Sequence, residues 1–600
     1  MTIEEVKEDY SIVIAEEKAK LAKLKSQIFT IGTLRLILVL ACCLCCYLLW
    51  GNSLVILATI LISIIFFCIL MKVHNRLFIR RRYCELLIEN AENELKGIDY
   101  DYSSFDGASE YIDGSHSFSS DLDFFGDRSF FQSLNRTVTS YGKNCLANTM
   151  LSPFDDKVVI EEQQAAVKEL SGKTKLLSHF RAIGKMSETK DIDVESLSAG
   201  LDDAKQIGKT FWRFMPYISL ASFIIVILLV ASGVPPALPV SFIGIWWSVM
   251  LLISLIPIKS IKQKINLFEK NIETLQVYSD LFKIIENETF RSPLLKSIQE
   301  HVGEGIPASK AIHLLKSYSS NLDQSFTALG IVFLNPVVFW GVIYGVKIEK
   351  WITQYKNAIP KWFTAIGRFD SLVSFAIYAH NHPDYIYPHV SDKEEFEGKD
   401  LGHPLLNRDI CVRNDVTMDR HPFFLVVTGA NMAGKSTYLR TIGINMILAC
   451  AGSVVCAREL IFYPYHLVTN LRTSDSLSDS ESYFFAELKR LKMIIDRLQS
   501  GEQLFIILDE ILKGTNSEDK QKGSIALMRQ LIANRGAGII ATHDLVLGNL
   551  EEEYPGKVKD YRFEADITND QLTFTYKIRE GVAQNMNACF LMKKMGITGL

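Results

Sequence analysis

One stretch constrains the fold more than any other: Phe424-Leu425-Val426-Val427-Thr428-Gly429-Ala430-Asn431-Met432-Ala433-Gly434-Lys435-Ser436-Thr437-Tyr438-Leu439-Arg440. An apolar run enters it, a glycine-rich turn follows, and a helical pattern leaves it. Gly429, Gly434, Lys435 and Ser436 satisfy G-x-x-x-x-G-K-[ST] without a mismatch. Such a turn points successive backbone N–H groups inward and opens onto a helix N-terminus, so both parts attract an anion. A polyphosphate suits that geometry, with Gly429, Ala430, Asn431, Met432, Ala433, Gly434, Lys435, Ser436 and Thr437 as its cradle. Lys435 reaches the terminal phosphates and Ser436 supplies a ligand for Mg²⁺.

Two further apolar runs complete the chemistry in chain order. Leu504-Phe505-Ile506-Ile507-Leu508 ends in Asp509-Glu510. A buried strand delivers Asp509 to the Mg²⁺ shell, where it binds the ion through water, and Glu510 orients or deprotonates the attacking water. Gly538-Ile539-Ile540-Ala541-Thr542 ends in His543, placed at a strand's C-terminal edge to sense a γ-phosphate. The residues therefore predict ATP hydrolysis with Mg²⁺, with Lys435, Glu510 and His543 as catalytic groups. Between the runs, Ser474 to Glu487 reads as a polar loop that caps a helix.

The other strong signal is apolar. Mean hydropathy is +0.14, high for a soluble chain of 600 residues, and points to membrane segments. Spans are expected over about 31–50 and 53–71, joined by Gly51-Asn52, each near the ~20 residues that cross a bilayer. Lys18, Lys20, Lys23, Lys25 and Arg35 precede this pair, and Lys72, Arg76, Arg80, Arg81 and Arg82 follow it. Positive charge at both outer ends places both on the cytoplasmic side. A second pair is expected over about 214–232 and 240–258, flanked by Lys205, Lys209 and Arg213 and by Lys259, Lys262 and Lys264. Trp246 and Trp247 sit mid-run, an odd place for interface anchors. A fifth apolar run, 328–346, would carry the phosphate loop outside the cell if it crossed. It is therefore expected as a kinked helix of the soluble core, with Asn335-Pro336 at the kink. The expected location is the inner, cytoplasmic membrane, multi-pass, with lipid as a partner and both termini in the cytoplasm.

Residues 1–30 read as a solvated helix with no signal-peptide pattern. Residues 99–127 are acidic yet rich in aromatics, which predicts an ordered connector rather than a disordered linker. Of 11 cysteines, Cys42, Cys43, Cys45, Cys46 and Cys68 fall in apolar runs and read as filler. The other six are scattered, as in a reducing cytoplasm. A net charge of -4 and a pI near 6.3 are not the footprint of a strongly basic nucleic-acid binder.

TGANMAGKSTYLRTIG, LDEILKGTNSEDKQKG, ATHD, SDSESYFFAE and the late LTFTYKIREGVAQNMNACFLMKKMGI together resemble the MutS ATPase domain over roughly 400–600. RTVTSYGKNCLANTMLSPFDDKVVIEEQQAAVKEL resembles the start of the MutS core and lever region, RFDSLVSFAIYAHNHPDY its end, and LGHPLL the strand entering the ATPase. The resemblance implies that Asn431 is the phosphate-loop asparagine. It implies that Ser482 acts across a homodimer on the partner's ATP, although Ser480 and Glu481 depart from the usual neighbours. Asn585-Met586-Asn587 also departs from the usual closing segment.

The implied architecture is multidomain, α and α/β. Residues 1–97 form N-terminal helices with a transmembrane hairpin. Residues 98–385 hold the connector and an all-α core and lever domain interrupted by the second hairpin. Residues 386–600 form a parallel-sheet P-loop NTPase domain of the ABC type. The family's mismatch-reading wedge, Phe-x-Glu, has no place in 1–128, and the second hairpin stands where the family inserts its DNA clamp. DNA and mismatch repair are thus implied by resemblance alone. A nucleotide-gated membrane switch with an unknown protein partner is the alternative. An ABC-like transporter is a weaker one, since an LSGGQ-like signature is absent.

Overall fold

The computed structural model describes residues 1–186, 211–231, 237–257, 272–303, 305–430, 432–471, 483–512, 516–568 and 571–584. It opens with two helices of equal length, α1 (Ile3–Leu48) and α2 (Ser53–Ile98), joined by a tight turn. Thr2 and Glu5 cap the start of α1 reciprocally, satisfying two of its free N–H groups. Each helix has 46 residues, so each is about 69 Å long at ~1.5 Å per residue. The solvated helix and the first apolar run expected from sequence are one continuous rod. Both helices are long and apolar enough to cross a membrane, by length and composition. Arg35 lies over the Phe67 ring at 4.9 Å and its Nη1 is 3.5 Å from His74 Nδ1.

The far end of α2 docks on the helical domain through a buried ionic knot. Glu94 accepts from Arg136 Nε at 2.8 Å and from Arg181 Nη1 at 2.6 Å. Asn381 Nδ2 donates to its other oxygen at 2.8 Å, and Tyr10 OH donates to Asn381 Oδ1 at 2.9 Å. Burial raises the Glu94 carboxyl, but the two guanidiniums outweigh it and the net shift is downward. The knot therefore fastens α1 and α2 to the core by side chains drawn from five segments.

The connector, 99–127, is ordered as expected. Phe118, Leu122 and Phe124 are buried, and the cluster extends to Phe130 and Phe131. The helical domain follows, with α3 (Ser140–Leu151), α4 (Lys157–Ser171) and α5 (Thr174–Gly184). After the apolar helices α6 (Met215–Ala231) and α7 (Ala237–Leu255) come α8 (Ile272–Asn287), α9 (Pro293–Gly303) and α10 (Ala308–Gln324). Next are α11 (Trp340–Tyr355) and the central α12 (Ile359–Asn381). Nearly every residue of α12 from Trp362 to Tyr378 is buried. Asp370, fully buried in α12, accepts from Thr139 N at 2.8 Å and Thr139 Oγ1 at 2.7 Å, locking α12 to the N-terminus of α3.

The 328–346 run departs from expectation. It is not one kinked core helix. A short helical piece spans Gly330–Val338, Phe339 takes a left-handed backbone (φ 51), and α11 leaves at 73°. Leu329 and Phe333 are 70% and 58% exposed. The piece packs against the apolar helices α6 and α7 rather than running on as one helix with α11.

The C-terminal part is α/β. Its main sheet has the order β12-β9-β4-β8-β7-β6, where β4 is Phe424–Gly429, β6 His466–Asn470, β7 Leu504–Asp509, β8 Ala537–Thr542, β9 Val558–Phe563 and β12 Arg579–Glu580. Every pairing in it is parallel except β12 with β9. β4 and β8 are buried throughout, which is why they read as unbroken apolar runs rather than alternating ones. A second sheet, from β1 (His389–Val390), β2 (Phe396–Leu401), β3 (Asn414–Met418) and β5 (Glu459–Phe462), has the order β1-β5-β2-β3. The hairpin β10 (Ala565–Thr568) and β11 (Gln571–Phe574) completes the strands described.

Candidate functional site

Parallel strands end their reactive residues on one edge. The register pairs Asp509 of β7 with Ala541 of β8 and Thr428 of β4 with Thr542 of β8. Residues just past the three strand ends, Ala430, Glu510 and His543, therefore meet at the carboxyl edge, where open α/β sheets bind ligands.

The turn after β4 is shaped by backbone freedom. Gly429 (φ 150) and Gly434 (φ 108) both have positive φ. A Cβ on Gly429 would sit 2.4 Å from Phe563 O, so only glycine fits between β4 and β9 there. Helix α13 (Lys435–Cys450) starts at once after Gly434 and has no side-chain N-cap. Its first N–H groups, with the positive end of the helix dipole, face the turn.

The side chains converge. Ser436 Oγ donates to Asp509 Oδ2 at 2.7 Å. Lys435 Nζ donates to the carbonyls of Gly429 at 2.7 Å and Ala430 at 3.0 Å, and lies 3.4 Å from His543 Nε2. His543 Nε2 is 2.7 Å from Glu510 Oε1. Glu510 has φ 49, and its N–H donates to Ala541 O at 2.9 Å. Left-handed backbone at a non-glycine residue is costly and clusters at functional sites. Here it turns the Glu510 carboxylate off the strand axis toward His543.

A hydroxyl and a carboxylate 2.7 Å apart, beside a turn suited to phosphate, fit Mg²⁺. That ion takes one or two protein oxygens plus phosphate and water. Among the described residues no group of three or more His, Cys, Asp or Glu could hold a metal ion by itself.

A cavity of about 510 Å³ opens beside Lys435 and Ser436, within the range of small-molecule sites. Its far wall is Leu406, Ile410, Val412 and Tyr576, with His403 beside them. Burial, with Arg440 adding to it, pushes the His403 imidazole down to about 4, so it is neutral near pH 7. The residue types of this wall carry no motif, and the sequence reading did not find it. It missed Glu487 too, whose buried Oε1 accepts from Leu512 N at 2.7 Å. That bond ties α14 (Tyr483–Gln499) to the turn after Glu510. Of the expected site residues, Ala433 is buried, Met432 is 81% exposed, and Thr437 lines the cavity. Asn431 and Ser482 lie outside the described residues, as do 585–587.

Comparison with known proteins gives this arrangement a lineage. The family model for MutS domain V matches 425–596, and that for MutS domain III matches 115–376. The chain belongs to the MutS family, by its domains III and V. Among curated relatives, the DNA mismatch repair protein MutS of Chlorobium phaeovibrioides is 34% identical over 241 residues, 39% of this chain and 27% of that protein. MutS of Thermotoga sp. (strain RQ2) is 29% identical over 249 residues, 41% of this chain and 31% of that protein. Human MutS protein homolog 4 is 28% identical over 251 residues, 40% of this chain and 26% of that protein. The aligned part thus spans about a third or less of each relative's length. Within this MutS chain, the phosphate-loop turn, Asp509-Glu510 and His543 all lie inside the domain V match. The apolar helices α6 and α7 lie inside the domain III match.

Proposed function

We propose that this chain is a membrane-anchored ATPase of the MutS type. The observation that carries the reading is the 2.7 Å bond between Ser436 Oγ and Asp509 Oδ2, with the Glu510–His543 pair on the same sheet edge. The turn amides and the N-terminus of α13 receive the phosphates of ATP. Lys435 exchanges the carbonyls of Gly429 and Ala430 for β- and γ-phosphate oxygens. Ser436 and Asp509 would hold Mg²⁺, which neutralises charge on the phosphates when bound. Glu510 takes a proton from the attacking water, and His543 orients Glu510 and meets the γ-phosphate. Leu406, Ile410 and Val412 receive the flat base, with Tyr576 as an aromatic partner. Ser482 acts across a homodimer on the second ATP, as the family resemblance implies.

The anchor is the α1–α2 pair, with the α6–α7 pair as a second membrane hairpin at the cytoplasmic face of the inner membrane. Residues 214–258 carry no Asp, Glu, Lys or Arg, and most of the large side chains described along both helices are exposed. Lipid accounts for both facts. The test of the ATPase is turnover by the full chain in lipid nanodiscs. Hydrolysis should need Mg²⁺, and Lys435→Ala should abolish ATP binding. Binding undiminished in that variant would remove the phosphate cradle from the account.

A DNA role is supported by the named relatives. A membrane output is favoured by the apolar hairpin within the domain III match, since a lever tip in lipid cannot encircle DNA. DNA binding and DNA-stimulated turnover across a salt series separate the two. A steep loss of binding with salt supports the DNA reading, and no binding at low salt supports the membrane output.

A further inference from the structure

The piece Gly330–Val338 is neither a span nor a soluble core helix. We infer that it is a re-entrant segment, seated in the cytoplasmic leaflet against α6 and α7 and contacting lipid acyl chains through Leu329 and Phe333. The inference rests on the membrane reading of α6 and α7.

Length alone would permit a crossing, because residues 324–346 carry no Asp, Glu, Lys or Arg. The ends exclude one. Asn335 Nδ2 donates to Ser325 O at 2.9 Å, and Trp340 Nε1 donates to Asn321 O at 2.8 Å. The chain that leaves α10 is back beside it within ten to twenty residues. Gly341 N completes the closure by donating to Asn335 Oδ1 at 3.1 Å. Entry and exit share one side.

The depth follows from the contacts. Ser219 lies four residues past the first residue of α6, and Trp247 lies eight before the last of α7. At ~1.5 Å per residue these are about 6 Å and 12 Å from the helix ends nearest the cytoplasm. Half of a hydrocarbon core is ~15 Å. Ser219 Oγ donates to Pro336 O at 2.7 Å, and Trp247 Nε1 donates to Val332 O at 2.9 Å. The segment is therefore held at leaflet depth by both hairpin helices.

Those two bonds also answer the backbone. In lipid every freed polar group needs an internal partner. Pro336 has no N–H, so Val332 O lacks its i+4 donor; the Trp247 indole supplies one. The left-handed turn at Phe339 ends the helix and frees Pro336 O; the Ser219 hydroxyl supplies that donor. A soluble break would be satisfied by water. Here the donors come from the two apolar helices, one each, which also explains a tryptophan in mid-run. The exposed face completes the case, since Leu329 and Phe333 are one helical turn apart. At its return the segment meets an interfacial set: Lys347 Nζ lies over the rings of Tyr344 at 4.4 Å and Tyr318 at 5.6 Å, the residue types that anchor at headgroup level.

The test is photocrosslinking of the full chain in nanodiscs of phosphatidylethanolamine and phosphatidylglycerol. Benzoylphenylalanine replaces Phe333, or Ile225 as a hairpin control, or Val158 as an exposed soluble control. Mass spectrometry locates the lipid carbons joined. The inference predicts lipid adducts at 333 and 225 and none at 158, with those at 333 on acyl carbons rather than on the headgroup. Adducts at 225 without any at 333 would overturn the re-entrant segment and leave the hairpin standing. Adducts at 333 confined to the headgroup would overturn the leaflet depth. No lipid at 225 would remove the membrane reading and the inference with it.

Discussion

Arg440, in the second turn of the helix that leaves the phosphate loop, holds Asp123 of the connector at 3.1 Å. The connector begins where α2 ends, so this contact joins the two long apolar helices to the candidate ATP site through a short ordered path. Its neighbours reinforce it. Asp121 accepts from Thr469 Oγ1 at 2.6 Å and Leu471 N at 3.1 Å, and Arg490 Nη2 donates to Ser117 O at 2.7 Å.

The apolar half of that joint is the more sensitive. A Cβ on Gly443 would stand 3.1 Å from both terminal carbons of Leu122, so Gly443→Ala crowds the seam, and its overpacking outweighs the helix preference for alanine to leave a net cost of up to about 2 kcal/mol. Leu122→Ala opens a cavity there and should cost about 2–5 kcal/mol. The double variant should be more stable than the sum of the two losses. Thermal unfolding of the four proteins checks it, and strict additivity would mean that the two sites do not touch.

The Glu94 knot makes a second prediction. Removing Glu94 leaves Arg136 and Arg181 buried with no counter-charge, so Glu94→Ala should destabilise by about 3–5 kcal/mol. The linkage sign follows from the depressed carboxyl. Its contribution is complete above the unfolded-state value and is lost as pH falls through the lower folded value. Melting in acid should therefore fall more steeply for wild type than for Glu94→Gln.

Asp370 has the opposite sign. Burial pushes its carboxyl up to about 7, with the Thr139 hydroxyl and the Thr139 and Val138 amides pulling it back. Between about pH 4 and about 7 the folded chain keeps a proton that the unfolded chain has released. Its contribution is thus full at about pH 4 and declines as pH rises to about 7. Asp370→Asn should flatten that part of the stability curve, read as melting temperature at about pH 5 and about 7.5.

Much of this was legible because local chemistry dictates it. A short unbroken apolar run ending in Asp509-Glu510 reads as a strand buried on both faces, and parallel register then carries Glu510 to His543. The apolar rods and the ordered aromatic connector were legible for the same reason. What sequence hid was long-range satisfaction. Nothing local says that Trp247 serves Val332, or that Pro336 needs it, so 328–346 read as a kinked core helix. The apolar wall of Leu406, Ile410 and Val412 was hidden likewise, since it forms only when the loop between β2 and β3 lies beside the phosphate-loop turn.

The central claim is that Glu510 activates water beside an ATP held by Lys435, Ser436 and Asp509. The measurement that tests it most directly is paired ATP binding and single-turnover hydrolysis by wild type and Glu510→Gln in nanodiscs with Mg²⁺. The account predicts ATP affinity close to wild type and hydrolysis slower by about 100-fold or more. Hydrolysis at the wild-type rate in Glu510→Gln would contradict it.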